Sequence, residues 1–159
     1  LKNIASEFSN FARMPRLNIE KLNAVTVIRE ALNLFEEEKY EIKFECAEVE
    51  IFVNADQDQL KRTIINLLRN SIQASAKHII VALNAENGMC KIFVHDDGIG
   101  IESNIIPNVF DENFTTKNSG MGIGLSLAKR FVESIDGNIS VEKTSKDWTT
   151  FLITLPLAE

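Results

Sequence analysis

Two glycine-punctuated turns constrain this chain more than any other feature. Asp96-Asp97-Gly98-Ile99-Gly100-Ile101 follows the apolar run 91–94, and Gly120-Met121-Gly122-Ile123-Gly124-Leu125 comes later, ahead of a helical pattern. Glycine at such points lets the backbone take positive φ or approach a ligand closely. Taken alone, the first turn reads most simply as a hairpin, because Asp-Gly is a favoured hairpin dipeptide. The second lacks both the Gly-x-Gly-x-x-Gly spacing and the preceding strand of a dinucleotide-binding turn. What decides their meaning is the order of the segments around them.

The segment 57–75 reads as a helix. Asp56 stands as its N-cap with Gln59 three residues on, a capping-box pattern. Leu60, Ile64, Leu67, Leu68 and Ile72 fall on one broad face, and Gln59, Arg62, Asn66, Asn70 and Gln73 line the opposite one. That polar line is either a plain solvent face or a site. Asn66 and Asn70, four residues apart, stack their amides, and an amide carbonyl so placed can ligate Mg²⁺, a hard cation that prefers oxygen. Segments 78–85 and 89–95 read as antiparallel strands joined through Glu86-Asn87-Gly88. Asp96 ends the second strand; an ionised carboxylate only accepts hydrogen bonds, so it suits an exocyclic amino group. Residues 102–120 show no periodicity, and so long a loop in a compact domain is functional or disordered. The glycines at 120–124 then open a helix to about residue 135, whose free N–H groups and partial positive charge favour phosphate.

Elsewhere, Leu1, Ile4, Ala5, Phe8, Phe11 and Ala12 recur at helical spacing until Met14-Pro15 ends the pattern. Residues 18–23 read as a linker and 24–38 as a helix with Val25, Ile28, Leu32 and Phe35 on one side, closed by Glu36-Glu37-Glu38. Residues 41–46 and 50–53 read as short strands, and 138–143 and 149–155 complete a sheet.

A chain of 159 residues that is 45% hydrophobic suits one domain with a real core and a short appendage. Its net charge of −6 excludes a general nucleic-acid binder, whose affinity comes from clustered Lys and Arg. Cys46 and Cys90 lie far apart in alternating apolar runs and read as reduced core residues of a cytosolic domain. No apolar run approaches the length of a membrane span, and no signal peptide is visible. The start at Leu1, without Met, leads us to expect a fragment of a longer parent.

In chain order, Asn66-Leu67-Leu68-Arg69-Asn70, the turn at Asp96 to Gly100, Val109-Phe110-Asp111-Glu112-Asn113-Phe114-Thr115-Thr116-Lys117 and the turn at Gly120 to Gly124 resemble the N, G1, F and G2 boxes of sensor histidine kinases. These are members of the gyrase/Hsp90/histidine-kinase/MutL ATP-binding superfamily, and the resemblance covers about residues 20–157. It implies an α/β (α+β) two-layer sandwich of Bergerat type, a mixed β-sheet with three helices on one face, preceded by a helical stub. Residues 1–16 would be the end of a dimerisation and phosphoacceptor helix, 17–23 a linker and 24–159 the catalytic ATP-binding domain. The stretch Glu7 to Pro15 resembles the NtrB/NtrY-like, nitrogen-regulation branch; a plain N-terminal helix packed on its own domain is the other reading. The function implied is Mg·ATP binding and donation of the γ-phosphoryl group to a histidine outside this chain, for relay to a response regulator receiver domain. The implied parent is homodimeric and the domain cytoplasmic, with membrane anchoring of the parent left open.

The resemblance also distributes roles. Asn70 would hold Mg²⁺ with Asn66 supporting it, and Asp96 would receive the adenine N6 amine, where guanine offers a carbonyl oxygen. Gly98, Gly100 and Ile101 would line the nucleotide. Residues 102–120 would form an ATP lid packed down by Phe110 and Phe114, with Thr115, Thr116 and Lys117 facing the phosphates. Gly120, Gly122, Gly124 and Leu125 would bring backbone amides to them. Asn66 and Lys117 are the expected catalytic pair. A Thr reaching adenine through water is expected too, with Thr149 and Thr150 both open.

Three places depart from the family. Gln73 and Ala74 stand where Lys or Arg and Tyr are common, Ile135-Asp136-Gly137 replaces His-Gly-Gly, and Trp148 replaces a Gly with no explanation in the sequence. Neither His78 nor His95 has the surroundings of a phosphoacceptor. Two rival readings stand beside the kinase: a nucleotide-binding scaffold without transfer activity, and a superfamily ATP hydrolase. The hydrolases carry Glu four residues before the magnesium Asn, where this chain has Asn66.

Overall fold

The computed structural model describes residues 16–35, 39–111, 124–145 and 148–159. Strand β1 (Glu20–Asn23) leads into helix α1 (Ala24–Leu32), β2 (Glu41–Glu45), β3 (Phe52–Ala55) and helix α2 (Gln57–Gln73). The hairpin β4 (His78–Glu86) and β5 (Met89–Asp96) follows, then a short 3-10 turn (Ile106–Asn108), helix α3 (Gly124–Ser134), and strands β6 (Asn138–Ser145) and β7 (Trp148–Pro156).

Five strands form one sheet in the order β2-β4-β5-β7-β6, with β2 parallel to β4 and every other pairing antiparallel. Side chains on a strand alternate between faces, so register decides which residues meet. Val81, Val94, Phe151 and Val141 lie in one row across four strands, and Leu83, Ile92, Ile153 and Ile139 in the next. That face is covered by Val27 and Ile28 of α1, Leu60, Ile64, Leu67 and Leu68 of α2, and Phe131 and Val132 of α3, all in one buried cluster. Each such aliphatic or aromatic side chain contributes about 1.5–3 kcal/mol when fully buried. The expected two-layer sandwich, a mixed sheet with three helices on one face, is therefore the observed architecture. The helical stub falls on residues 1–15, outside the described residues.

Local chemistry sets the element ends. Asp56 caps α2 as expected, its Oδ1 accepting the Gln59 N–H at 3.0 Å. The β4–β5 hairpin turns on Asn87 (φ 53°) and Gly88 (φ 76°), both left-handed as a two-residue Asn-Gly turn requires.

Three expectations are corrected. The segment read as a linker contains a strand: β1 pairs antiparallel with β3, from Glu20 opposite Ala55 to Asn23 opposite Phe52. Leu22 packs on the core and the Asn18 N–H donates to Asp56 Oδ2 at 2.8 Å, which together fix the chain before α1. Helix α1 stops at Leu32 rather than continuing to residue 38, because the Leu34 and Phe35 N–H groups turn back to the carbonyls of Ala31 and Leu32. Strand β3 begins at Phe52 rather than at residue 50. The backbone of Ile51 is engaged at the start of α1, its N–H with Asn23 Oδ1 and its carbonyl with the Ala24 N–H. At the end of α3 the left-handed residue is Asp136 (φ 63°), not the glycine beside it. Gly137 is needed for close packing instead, since a Cβ there would sit 2.5 Å from the Thr154 carbonyl oxygen.

Candidate nucleotide site

One row of the sheet differs from the apolar rows. Ile79, Asp96, Thr149 and Thr144 lie side by side across β4, β5, β7 and β6, on the face that elsewhere forms the core. Asp96 is only 3% exposed. Its Oδ2 accepts the hydroxyl of Ser71, from α2, at 2.7 Å, and its Oδ1 accepts the Gly98 N–H at 2.9 Å. A buried polar group needs such partners, and here they come from the helix above and the turn beyond.

The turn after β5 is pinned to the end of α2. The Ile99 N–H donates to the Ala74 carbonyl at 3.0 Å. A Cβ on Gly98 would meet that same carbonyl oxygen at 2.7 Å, so glycine is required there by close approach. Gly100 has φ 80° and turns the chain into Ile101. The Ile101 N–H then donates to Thr144 Oγ1 at 2.9 Å. Thr144 reaches this row through a bulge in β6: the register shifts between Val141 and Lys143, leaving Lys143 opposite Thr150 and Thr144 opposite Thr149. Bulges commonly re-aim a side chain beside a site. Thr144 Oγ1 and Thr149 Oγ1 lie 3.0 Å apart.

The two threonines are separated by this pairing. Thr149 is directly opposite Asp96 on the same face, whereas Thr150 is opposite His95 on the other, where its Oγ1 shares a 2.6 Å hydrogen bond with His95 Nδ1. Trp148 also belongs to that outer face. Its ring meets the His95 ring edge-on, with centroids 4.5 Å apart.

On α2 the polar line splits. Arg62 and Gln73 are exposed, while Gln59, Asn66 and Asn70 are half-buried, the two Asn one helical turn apart. Asn66 Nδ2 donates to the Gly124 carbonyl at 3.4 Å, so α2 touches the first residue of α3 here. Leu125 packs on the core. Phe110 packs edge-on against Phe151, with centroids 6.2 Å apart, and the Lys129 ammonium lies 5.8 Å from its ring centre. The chain after the 3-10 turn is thereby fixed to the sheet next to the Asp96 row.

Of the residues singled out in the sequence, Asn66, Asn70, Asp96, Gly98, Gly100, Ile101, Phe110, Gly124 and Leu125 belong to these connected elements. Thr115, Thr116, Lys117, Gly120 and Gly122, with Phe114, lie outside the described residues. Ser71 and Thr144 were missed. For Ser71 a signal existed: it follows Leu67 and Leu68 at helical spacing on the apolar face of α2, where a hydroxyl must find a partner. Thr144 had none, because the bulge that places it is not visible in one strand's sequence.

Magnesium can be tested against the donors. Among the described residues no three His, Cys, Asp or Glu side chains group to hold a metal ion. The local donors suit Mg²⁺ carried by nucleotide phosphates, with an amide oxygen as one ligand and waters as others, rather than an all-protein cage.

Residues 55–159 match the sequence profile of the family described as "Histidine kinase-, DNA gyrase B-, and HSP90-like ATPase". The sensor protein FixL of Bradyrhizobium diazoefficiens is 32% identical over 128 residues, covering 77% of this chain and 25% of that protein. An NtrY-like sensor histidine kinase of Rickettsia felis is 29% identical over 154 residues, covering 92% of this chain and 26% of that one. The chain thus spans about a quarter of the length of these two relatives. Among solved structures, the catalytic domain of histidine kinase ThkA superposes with a TM-score of 0.80 at 27% identity, covering 88% of this chain and 96% of that one. ThkA in complex with the response regulator protein TrrA superposes at 0.83 and 24% identity, covering 99% and 47%, a likeness of fold. Among the described residues no helix is long and apolar enough to cross a membrane.

Proposed function

We propose, from the premise that this chain belongs to the histidine kinase-, DNA gyrase B- and HSP90-like ATPases, that it is the ATP-binding, phosphoryl-donating part of a two-component sensor histidine kinase. The observation that carries this reading is the buried Asp96 carboxylate, held by Ser71 and Gly98 in a polar row of an otherwise apolar sheet face. A carboxylate there accepts the N6 amine of adenine and offers nothing to the carbonyl oxygen of guanine.

The chain's other residues then have defined work. Thr149, opposite Asp96, contacts the base edge directly or through water. Asn70 holds the Mg²⁺ that accompanies the phosphates; when bound, the ion neutralises phosphate charge during transfer. The amides that lead into α3 and Lys117 stabilise the transferring group, a task that rests on position and charge rather than on covalent chemistry. The γ-phosphoryl group goes to a histidine outside this chain, on a hairpin of a homodimeric parent, and then to the receiver domain of a response regulator. The domain works in the cytoplasm and does not bind nucleic acid. The NtrY-like relative supports a nitrogen-regulation lineage.

Transfer is favoured over hydrolysis by the use made of Asn66. Its amide donates to the Gly124 carbonyl, and an ionised Glu there would set two acceptors against each other while an amide cannot serve as a general base. The test is to add a phosphoacceptor hairpin from a relative or from the parent and follow acid-labile histidine phosphorylation from labelled ATP. Transfer that requires the hairpin supports the proposal; steady phosphate release without it, unchanged on its addition, refutes it.

A further inference from the structure

Asp96 is buried without a cation: among the described residues no Lys, Arg or His forms an ion pair with it. Its position therefore leans on hydrogen bonds, since a buried charge is costly when unpaired. Gly98 supplies one of them from the backbone of the turn, in any sequence that makes this turn. Ser71 supplies the other from a side chain that is itself 1% exposed, at 2.7 Å, on the apolar face of the helix that also carries Asn66 and Asn70.

With one donor on each oxygen the carboxylate cannot rotate about its last bond without losing both contacts. We propose that Ser71 is a positioning residue for base recognition. Its hydroxyl fixes the plane of the Asp96 carboxylate so that a remaining lone pair faces the space beside Thr149, and this confers selectivity for a purine bearing an exocyclic amine. The role rests on the ATP-binding reading above and deepens it. It also places base selection and magnesium binding on one rigid element, because Ser71 directly follows Asn70 on α2.

The experiment is calorimetric titration of the whole chain with ATP and with purine riboside triphosphate, which lacks the 6-amino group. Ser71→Ala should weaken ATP by roughly tenfold, the size of one charge-assisted hydrogen bond, and leave the amine-free analogue unchanged. Ser71→Thr, which keeps the hydroxyl, should restore the preference. Equal losses for both nucleotides would assign Ser71 to packing and overturn the proposal, as would unchanged ATP affinity in Ser71→Ala. If the alanine variant does not fold, Ser71→Cys carries the same comparison with a weaker donor, and a selective loss for ATP is again required. A wild-type chain that binds neither nucleotide would overturn the ATP reading and this role with it. Wild-type binding with no selective loss in the variants would overturn this role alone.

Discussion

Asn66 Nδ2 donates to the carbonyl oxygen of Gly124 across 3.4 Å, joining the middle of α2 to the first residue of α3. The side chain of Asn66 thus ties the helix that carries the two amides to the start of α3. The chain alone should show negligible ATP hydrolysis, because the position from which a Glu would activate water is an amide engaged with the backbone. Losing a general base costs about 10²- to 10⁴-fold in rate. Asn66→Ala should lower unfolding stability by about 0.5–1.5 kcal/mol, the worth of one hydrogen bond. Phosphate release assayed on the isolated chain checks this; steady turnover that Asn66→Ala abolishes would contradict it.

Asn70 lies one turn further along α2 and has the magnesium role in the proposed function. Asn70→Ala should weaken ATP binding roughly ten- to hundredfold with Mg²⁺ present, and far less in EDTA. Calorimetry in both buffers checks this, and equal losses would rule out a ligand role.

The fold carries a removable strain at Asp136, whose φ of 63° is a conformation that favours glycine. Asp136→Gly should stabilise the domain by about 0.5 kcal/mol, the gain being reduced by glycine's greater freedom in the unfolded chain. Urea unfolding measures it. A loss of stability would mean that the Asp136 side chain makes a larger contribution than the strain it imposes.

Asp97, next to the buried Asp96, does structural work on the surface. Its Oδ1 accepts the backbone N–H groups of Lys77 and His78 at 2.8 and 2.9 Å, and His78 Nδ1 lies 2.7 Å from its Oδ2. The His78 backbone bond above all, with the imidazole and the Lys77 N–H, outweighs desolvation and lowers its pKa from 3.8 to about 2. A carboxylate whose folded pKa is depressed stabilises above the unfolded pKa, and that contribution is lost as pH falls through the folded value. The stability gap between the wild type and Asp97→Asn should therefore narrow from about pH 4 to about pH 2. Urea unfolding as a function of pH checks this; a gap independent of pH in that window would contradict it.

How much of this was legible depends on how local each cause is. Asp96, Asn66 and Asn70 could be read because helix spacing and the glycine turn are patterns within one segment. Asp56 capping α2 belongs to the same class. Thr149 could not be separated from Thr150, because the distinction is the β5–β7 register, which puts Thr149 opposite Asp96. Thr144 depends on a bulge defined only relative to β7, and β1 looked like a linker because its partner β3 lies on the far side of α1 and β2. Trp148 gains its meaning only when β7 brings it against His95.

Whether Asp96 reads the adenine amine is tested most directly by titration of ATP and GTP into the wild type and Asp96→Asn. In the variant an NH₂ group replaces one acceptor oxygen, so the Gly98 and Ser71 donors can no longer both be satisfied as they are now. The wild type should bind ATP far more tightly than GTP, and Asp96→Asn should lose at least about tenfold in ATP affinity while still unfolding cooperatively. Unchanged ATP affinity in the folded variant, or equal affinity of the wild type for the two nucleotides, would contradict it.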